Sequence, residues 1–227
     1  MSDRPATPSF VIALDGPAAS GKGTLARRIA AHYGFAHLDT GMLYRGVAYR
    51  LLQAKLDPAN AEAAAAAARV FSLDGIEEAS IRTRAVGAAA SVVAANAAVR
   101  AALLDFQRAF ASSPPGGAPG AVLDGRDIGT TICPDAPLKF FVTADDPVRA
   151  RRRWLEQREA NPDLVLEDVA RDLAERDARD AARDDAPMTA AEDAELLDTT
   201  DLTIDAAFAA ARRMIDRALA RRSAETG

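Results

Sequence analysis

Phe10-Val11-Ile12-Ala13-Leu14-Asp15-Gly16-Pro17-Ala18-Ala19-Ser20-Gly21-Lys22-Gly23-Thr24 is the stretch that decides the fold. Phe10 to Leu14 is a continuous apolar run of strand length, ending on Asp15. Such a run suits a strand buried on both faces of a parallel sheet. The turn from Gly16 to Gly21 follows, and then a helical stretch from about Lys22 to Tyr33 with Gly34 placed to end it. Glycines let the backbone turn sharply, so that successive N–H groups face inward at a polyphosphate. The helix adds its positive N-terminal end, and Lys22 can reach terminal phosphates as a compact point charge. A chance Gly-x4-Gly-Lys arises in roughly one chain in a hundred of this composition; the flanking strand and helix set this one apart.

The stretch therefore predicts an ATP site made of Gly16, Pro17, Ala18, Ala19, Ser20, Gly21, Lys22, Gly23 and Thr24. One detail departs from the general P-loop pattern. Gly23 stands where Ser or Thr would ordinarily ligate Mg²⁺, and the hydroxyl comes one position later, at Thr24. Mg²⁺ would then rest mainly on phosphates and water, with Thr24 near an inner phosphate and no protein metal ligand assigned.

Working outward, His37-Leu38-Asp39 reads as a short second strand, which completes a βαβ unit. Gly41 to Leu56 reads as helix, and Asp57-Pro58 as the N-cap and N1 pair of the next. The alanine tract Ala61 to Ala68 is a strong helix former. Leu73-Asp74-Gly75 reads as a turn, Arg84 to Phe110 as helix broken near Asn96, and Ser112 to Gly120 as a loop. Ala121 to Asp124 and Leu138 to Ala144 are the third and fourth strands. A helix runs from Asp146-Pro147 to about Glu159, is broken by Asn161-Pro162, and is followed by a charged helix from Leu164 to Asp180. Glu195 to Thr199 is a fifth strand and Ile204 to Arg221 a closing helix. Alternating strands and helices predict an α/β fold: a parallel five-stranded sheet with helices on both faces.

The length of 227 residues suits one sizeable domain with insertions. Apolar residues make up 49% and charged residues 27%, which reads as globular. The net charge of −5 argues against a nucleic-acid partner. No membrane span and no targeting segment is visible, so the cytoplasm is expected; a monomer is expected as well. Cys133, the single cysteine, excludes an internal disulfide. The cations are lopsided: 25 arginines against Lys22, Lys55 and Lys139. A lysine in this chain invites a specific reason. Arg149, Arg151, Arg152, Arg153 and Arg158 form a charge run that reads by default as a solvated face.

Three further segments carry a resemblance. They are Asp39-Thr40-Gly41 with Tyr44-Arg45, then Asp124-Gly125-Arg126-Asp127 with Gly129-Thr130, then Arg176-Asp177 with Asp180, Arg183 and Pro187. With the Gly-Lys-Gly-Thr ending, they look like bacterial cytidylate kinase, a nucleoside monophosphate kinase of the P-loop class, through nearly the whole chain. The resemblance implies transfer of the γ-phosphoryl group of ATP to CMP or dCMP with Mg²⁺. It implies that Arg45 and Arg126 bind the acceptor phosphate, that Thr40 and Tyr44 help seat the acceptor, and that Ser91, Arg100 and Asp127 read cytosine. Arg176 and Asp180 would approach the sugar, and Arg183 the phosphates. Lys22, Arg126, Arg176 and Arg183 are the expected catalytic set. The core would be 1–40, 111–148 and 189–227, the acceptor region 41–110 and the lid 149–188.

The chemistry of these residues agrees. Arginine offers planar forks to phosphate. Cytosine presents an amino donor and ring acceptors, which suit a carboxylate beside arginine and serine. No general base is needed for an acceptor that is already an anion, so His32 and His37 read as structural. Family members usually carry a small antiparallel sheet in the acceptor region; Phe71 to Arg84 is short here, so that region is expected to be mostly helical. A kinase for AMP, UMP or a non-nucleotide, and a P-loop regulator, remain as rivals.

Overall fold

The computed structural model describes residues 9–72, 75–159 and 161–226, with side chains to 224. The expected turn at Leu73-Asp74 lies outside the described residues. Five strands form one parallel sheet in the order β2-β3-β1-β4-β5: β1 Phe10–Asp15, β2 Ala36–Asp39, β3 Gly120–Asp124, β4 Leu138–Thr143 and β5 Glu195–Asp198. All five strands sit where the apolar runs placed them.

β1 is the central strand and is covered on both faces. Phe10, Ile12 and Leu14 pack with Leu25 and Ile29 of α1 (Lys22–Tyr33) and with Ala211 and Ile215 of α9 (Ile204–Thr226). Ala13 points the other way, toward Leu123 and toward Ala111 of α6 (Ala97–Ser112). Period-two alternation along a strand thus puts one helical layer on each face. α1 begins at Gly21, whose φ is 87°, and ends on Gly34 in the left-handed region, as its glycine predicts.

Residues 41–110 fold without a strand among the described residues, in line with the helical expectation. α2 (Thr40–Gln53), α3 (Ala61–Arg69), the short α4 (Glu78–Ile81), α5 (Arg84–Val93) and α6 enclose their own core of Leu43, Val47, Leu51, Ile81, Val93 and Leu103. The break near Asn96 is real: Asn96 caps α6, accepting from the N–H groups of Ala98 and Val99. Asp57-Pro58 does not cap α3. Asn60 is the cap, its side chain accepting from Ala63 N, while Asp57 closes a local turn onto Ala59 N at 2.9 Å. Both residues are cap formers, and only the chain path distinguishes them.

α7 (Asp146–Gln157) and α8 (Leu166–Ala181) pack together over the phosphate loop, with Ala150, Val169 and Leu173 buried against Ala18. Trp154 braces the pair, donating from Nε1 to Leu164 O at 2.8 Å. The helices α2, α6 and α7 each run through a boundary drawn from sequence, at 40/41, 110/111 and 148/149. Among the described residues no single helix is long and apolar enough to cross a membrane; one pair, 84–93 with 97–117, reaches that length only with a 98° bend.

Candidate active site

The ends of β1, β2 and β3 open onto one crevice, the usual ligand position in an open parallel sheet. β1 delivers the phosphate loop. Gly16 has φ 135°, and a Cβ there would stand 2.1 Å from Val142 O, so only glycine permits the loop to leave the sheet. Gly16, Pro17 and Ser20 form its buried inner side; Pro17 O receives Lys22 Nζ at 3.2 Å and Ser20 O receives Thr199 Oγ1 at 2.8 Å.

Ala18, Ala19, Gly21, Lys22, Gly23 and Thr24 line a cavity of about 150 Å³. Its other walls include Arg45 from α2, Arg126 after β3, Arg176 from α8, Arg82 and Arg27, with Asp39, Asp124 and Glu156 as the acids. Six basic side chains against three acidic ones, in a chain of net charge −5, mark a place built for a polyanion. The crowding shows in the side chains themselves. Burial, with Arg126 beside it, pushes Lys22 down to about 7. Burial, with Arg126, pushes Arg176 down to about 9, and burial with Arg153 pushes Arg45 down to about 10. Bound phosphate would relieve all three.

A second cavity of about 40 Å³ is lined by Thr40, Tyr44, Ser91, Arg100, Arg126, Asp127, Arg176, Asp180 and Arg183. Every expected acceptor residue except Arg45 is in this wall, and Arg45 is in the first. The residues come from α2, α5, α6, the loop after β3, and α8 with its exit. Asp127 and Arg100 are both buried and joined at 2.5 Å, and Arg100 also reaches Asp185 at 3.2 Å. Asp180 on α8 is the hub of an arginine cluster: Arg126 Nε lies 2.9 Å from it, Arg183 contacts it, and Arg176 Nε lies 3.9 Å away. Burial works against charge on Asp180, but Arg126, Arg183 and Arg176 outweigh it and hold the carboxyl below the usual range. Ser91 Oγ, Arg100 Nη1 and Arg183 Nε are buried without a hydrogen-bond partner. Buried polar atoms are nearly always satisfied, so these three are open to water or to a polar ligand.

The two cavities meet at Gly41, Gly125, Arg126 and Arg176. A third, of about 410 Å³, opens beside the phosphate loop between Leu25, Arg152, Leu155, Thr199, Leu202 and Ala207. Sequence reading missed this one, because its wall is scattered over residues 19–25, 152–156 and 199–207 with no contiguous motif.

The reading of the arginine run as a solvated face needs correction. Arg149 is not on a solvated face. It is buried, and donates to Ala144 O at 3.1 Å, to Ala18 O at 3.0 Å and to Asp177 Oδ2 at 2.5 Å. Arg152 binds Thr199 through both its carbonyl and its hydroxyl. The helix turns these two inward, which a count of charges cannot show. His37 keeps a structural role: its Nε2 lies 2.7 Å from Oδ2 of Asp124, which lines the phosphate cavity.

A phosphate loop at the end of the central strand, with an arginine-lined second cavity sharing its wall, defines a P-loop kinase. The likeness to solved structures agrees on fold alone: a chain titled an uncharacterized protein from Eubacterium ventriosum superposes with TM-score 0.54 at 15% identity, covering 92% of this chain and 99% of that one. A family model described as cytidylate kinase matches residues 12–217, and the chain belongs to that family. It is similar to the cytidylate kinase of Rhodospirillum rubrum, 53% identical over 202 residues, 89% of this chain and 95% of the relative. It is similar also to that of Paramagnetospirillum magneticum, 54% identical over 207 residues, 91% and 98% of the two chains.

Proposed function

We propose that the chain transfers the γ-phosphoryl group of ATP to CMP or dCMP, giving ADP and CDP or dCDP. The observation that carries the reading is the shared wall of the two cavities, at Gly41, Gly125, Arg126 and Arg176. Donor phosphates on the phosphate loop and an acceptor phosphate held by Arg45 and Arg126 would face each other across it. The bond from the γ-phosphorus to the β,γ-bridging oxygen breaks as a bond from an acceptor phosphate oxygen forms in line. The acceptor is an anion, so catalysis is positioning and charge neutralisation. Lys22, Arg126, Arg176 and Arg183 supply the positive charge, and the third cavity takes the nucleoside end of ATP. Asp127, with Arg100 and Ser91, reads cytosine, and Asp180 with Arg176 the sugar.

Mg²⁺ would enter with ATP and screen its phosphates. The described residues contain no cluster of three metal-ligating side chains. Asp39 and Asp124 line the phosphate cavity, and such carboxylates suit a cation that keeps its water. The core, acceptor region and lid act as three parts of one domain, with α7 and α8 closing to exclude water. On this reading the chain is a cytoplasmic monomer whose partners are nucleotides, in keeping with its net charge of −5.

The test is ADP release with ATP, Mg²⁺ and a panel of CMP, dCMP, UMP and AMP. CMP and dCMP should be the best acceptors. AMP as the best acceptor would overturn the assignment.

A further inference from the structure

We propose that Asp15 is a positioning residue that couples the two substrate sites, by holding the loop that carries Arg126 and Asp127 against the root of the phosphate loop. The inference rests on the phosphoryl-transfer reading above.

Asp15 ends β1 and immediately precedes Gly16. Its side chain faces the acceptor loop. One carboxylate oxygen accepts from Ile128 N and the other from Gly129 N, each at 2.7 Å. Asp15 is only 4% exposed. A buried carboxylate is costly unless its oxygens are satisfied, and here two short charge-assisted bonds do that. Burial pushes the group up to about 6, with the bonds from Gly129 and Ile128 working against it.

The two donors open the π turn Ile128–Ile132, directly after Asp127. The upstream end of the loop is tied as well: Gly125 N donates to Leu14 O at 2.9 Å. Arg126 and Asp127 are therefore suspended between two anchors, and both anchors belong to the last two residues of β1. The phosphate loop departs from the same point. Lys139 lies on the same side of Gly129 as Asp15. A Cβ added to Gly129 would stand 3.0 Å from Lys139 Cδ and 3.4 Å from Asp15 Oδ2, while Lys139 Nζ is fixed to Asp193 at 2.9 Å. Donor and acceptor geometry thus derive from one rigid strand end, and small displacements of reacting groups cost large factors in rate.

Asp15→Asn tests this. It preserves shape and one acceptor oxygen, but sets an amide NH₂ against the second backbone N–H. The expected result is a fall of about tenfold or more in kcat/KM for CMP, since a bond to a charged group is lost. KM for ATP should change less than about twofold, because the phosphate loop keeps its own contacts. The CMP:UMP ratio should fall too, because Asp127 is displaced. Gly129→Ala crowds the same loop against Lys139 and Asp15 and should give the same acceptor-side signature; it serves if Asp15→Asn does not fold. Equal changes for ATP and CMP with an unchanged CMP:UMP ratio would overturn the proposal, as would lowered thermal stability with wild-type kinetics. A wild-type enzyme inactive on CMP is a different result, and removes the underlying reading itself.

Discussion

Asp127 faces two demands at the scale of a single residue. It is buried against Arg100 at 2.5 Å, and on the proposed reading it also accepts from the cytosine amine. Removing one member of a buried ion pair costs about 3–5 kcal/mol because the other is left charged and dry, so Asp127→Ala confuses stability with specificity. Asp127→Asn keeps the volume and one acceptor oxygen but still leaves Arg100 without a counter-charge, so its thermal stability is measured beside its kinetics. It should lower the CMP:UMP ratio of kcat/KM by roughly ten- to hundredfold, mostly through loss on CMP. Both substrates losing equally would make Asp127 a structural residue. Ala19 gives a residue-scale prediction of opposite sign. Its φ is 59° inside the phosphate loop, a left-handed conformation that costs a Cβ-bearing residue about 1 kcal/mol. Ala19→Gly should relieve that strain but restore unfolded-state entropy, for a net gain of roughly 0.5 kcal/mol. The measure is the urea midpoint at unchanged slope; a lower midpoint would contradict it.

At the scale of elements, α7 and α8 are tied to the phosphate loop by Arg149, by Ala18 N donating to Asp177 at 3.5 Å and by the packing of Ala150, Val169 and Leu173 on Ala18. Arg149 on α7 spans Ala18 O in the loop and Asp177 on α8. Arg149→Lys keeps the charge but cannot make the planar fork. It should raise KM for ATP about tenfold and slow turnover, while KM for CMP changes less. An increase confined to CMP would place the anchor's role on the acceptor side instead. Arg149 also shows where sequence reading stops. Strands and α1 were legible because apolar runs and glycines act locally, and the phosphate loop because its geometry is a property of contiguous residues. The acceptor residues came from resemblance; spacing alone makes Arg100 a surface arginine, and only the approach of α6 to the loop after β3 buries it. The third cavity, the His37 contact with Asp124 and the cap at Asn60 instead of Asp57 all depend on segments far apart in the chain, or on a path that propensity does not set. Charge runs are the weakest guide, since a helix sends neighbouring arginines to opposite environments.

The whole molecule concentrates positive charge before its substrates arrive, and this has a measurable consequence in protons. Lys22 is faced by Asp39 at the end of β2, Asp124 at the end of β3, Arg126 in the loop after it and Arg176 from α8. Burial dominates, Arg126 and Arg176 add to it, and the two acids only partly compensate, leaving the amine at about 7. Its unfolded value is 10.5, so between about 7 and 10.5 the unfolded chain binds more protons than the folded one. The free protein therefore gains stability from this group as pH rises through that window, and carries the full cost of the buried ammonium below it. ATP reverses the balance, because its phosphates favour the charged amine. At pH 8 the free enzyme is mostly neutral at Lys22, so ATP binding should take up close to one proton. Near pH 6 Lys22 is already charged, and its uptake should vanish. Calorimetric titration in buffers of different ionisation enthalpy reads this number directly. Lys22→Arg, which stays charged throughout, should abolish the uptake at pH 8. An uptake that survives in that variant would assign the proton to another group in the cavity, and no uptake in the wild type would mean that Lys22 is already charged before ATP arrives.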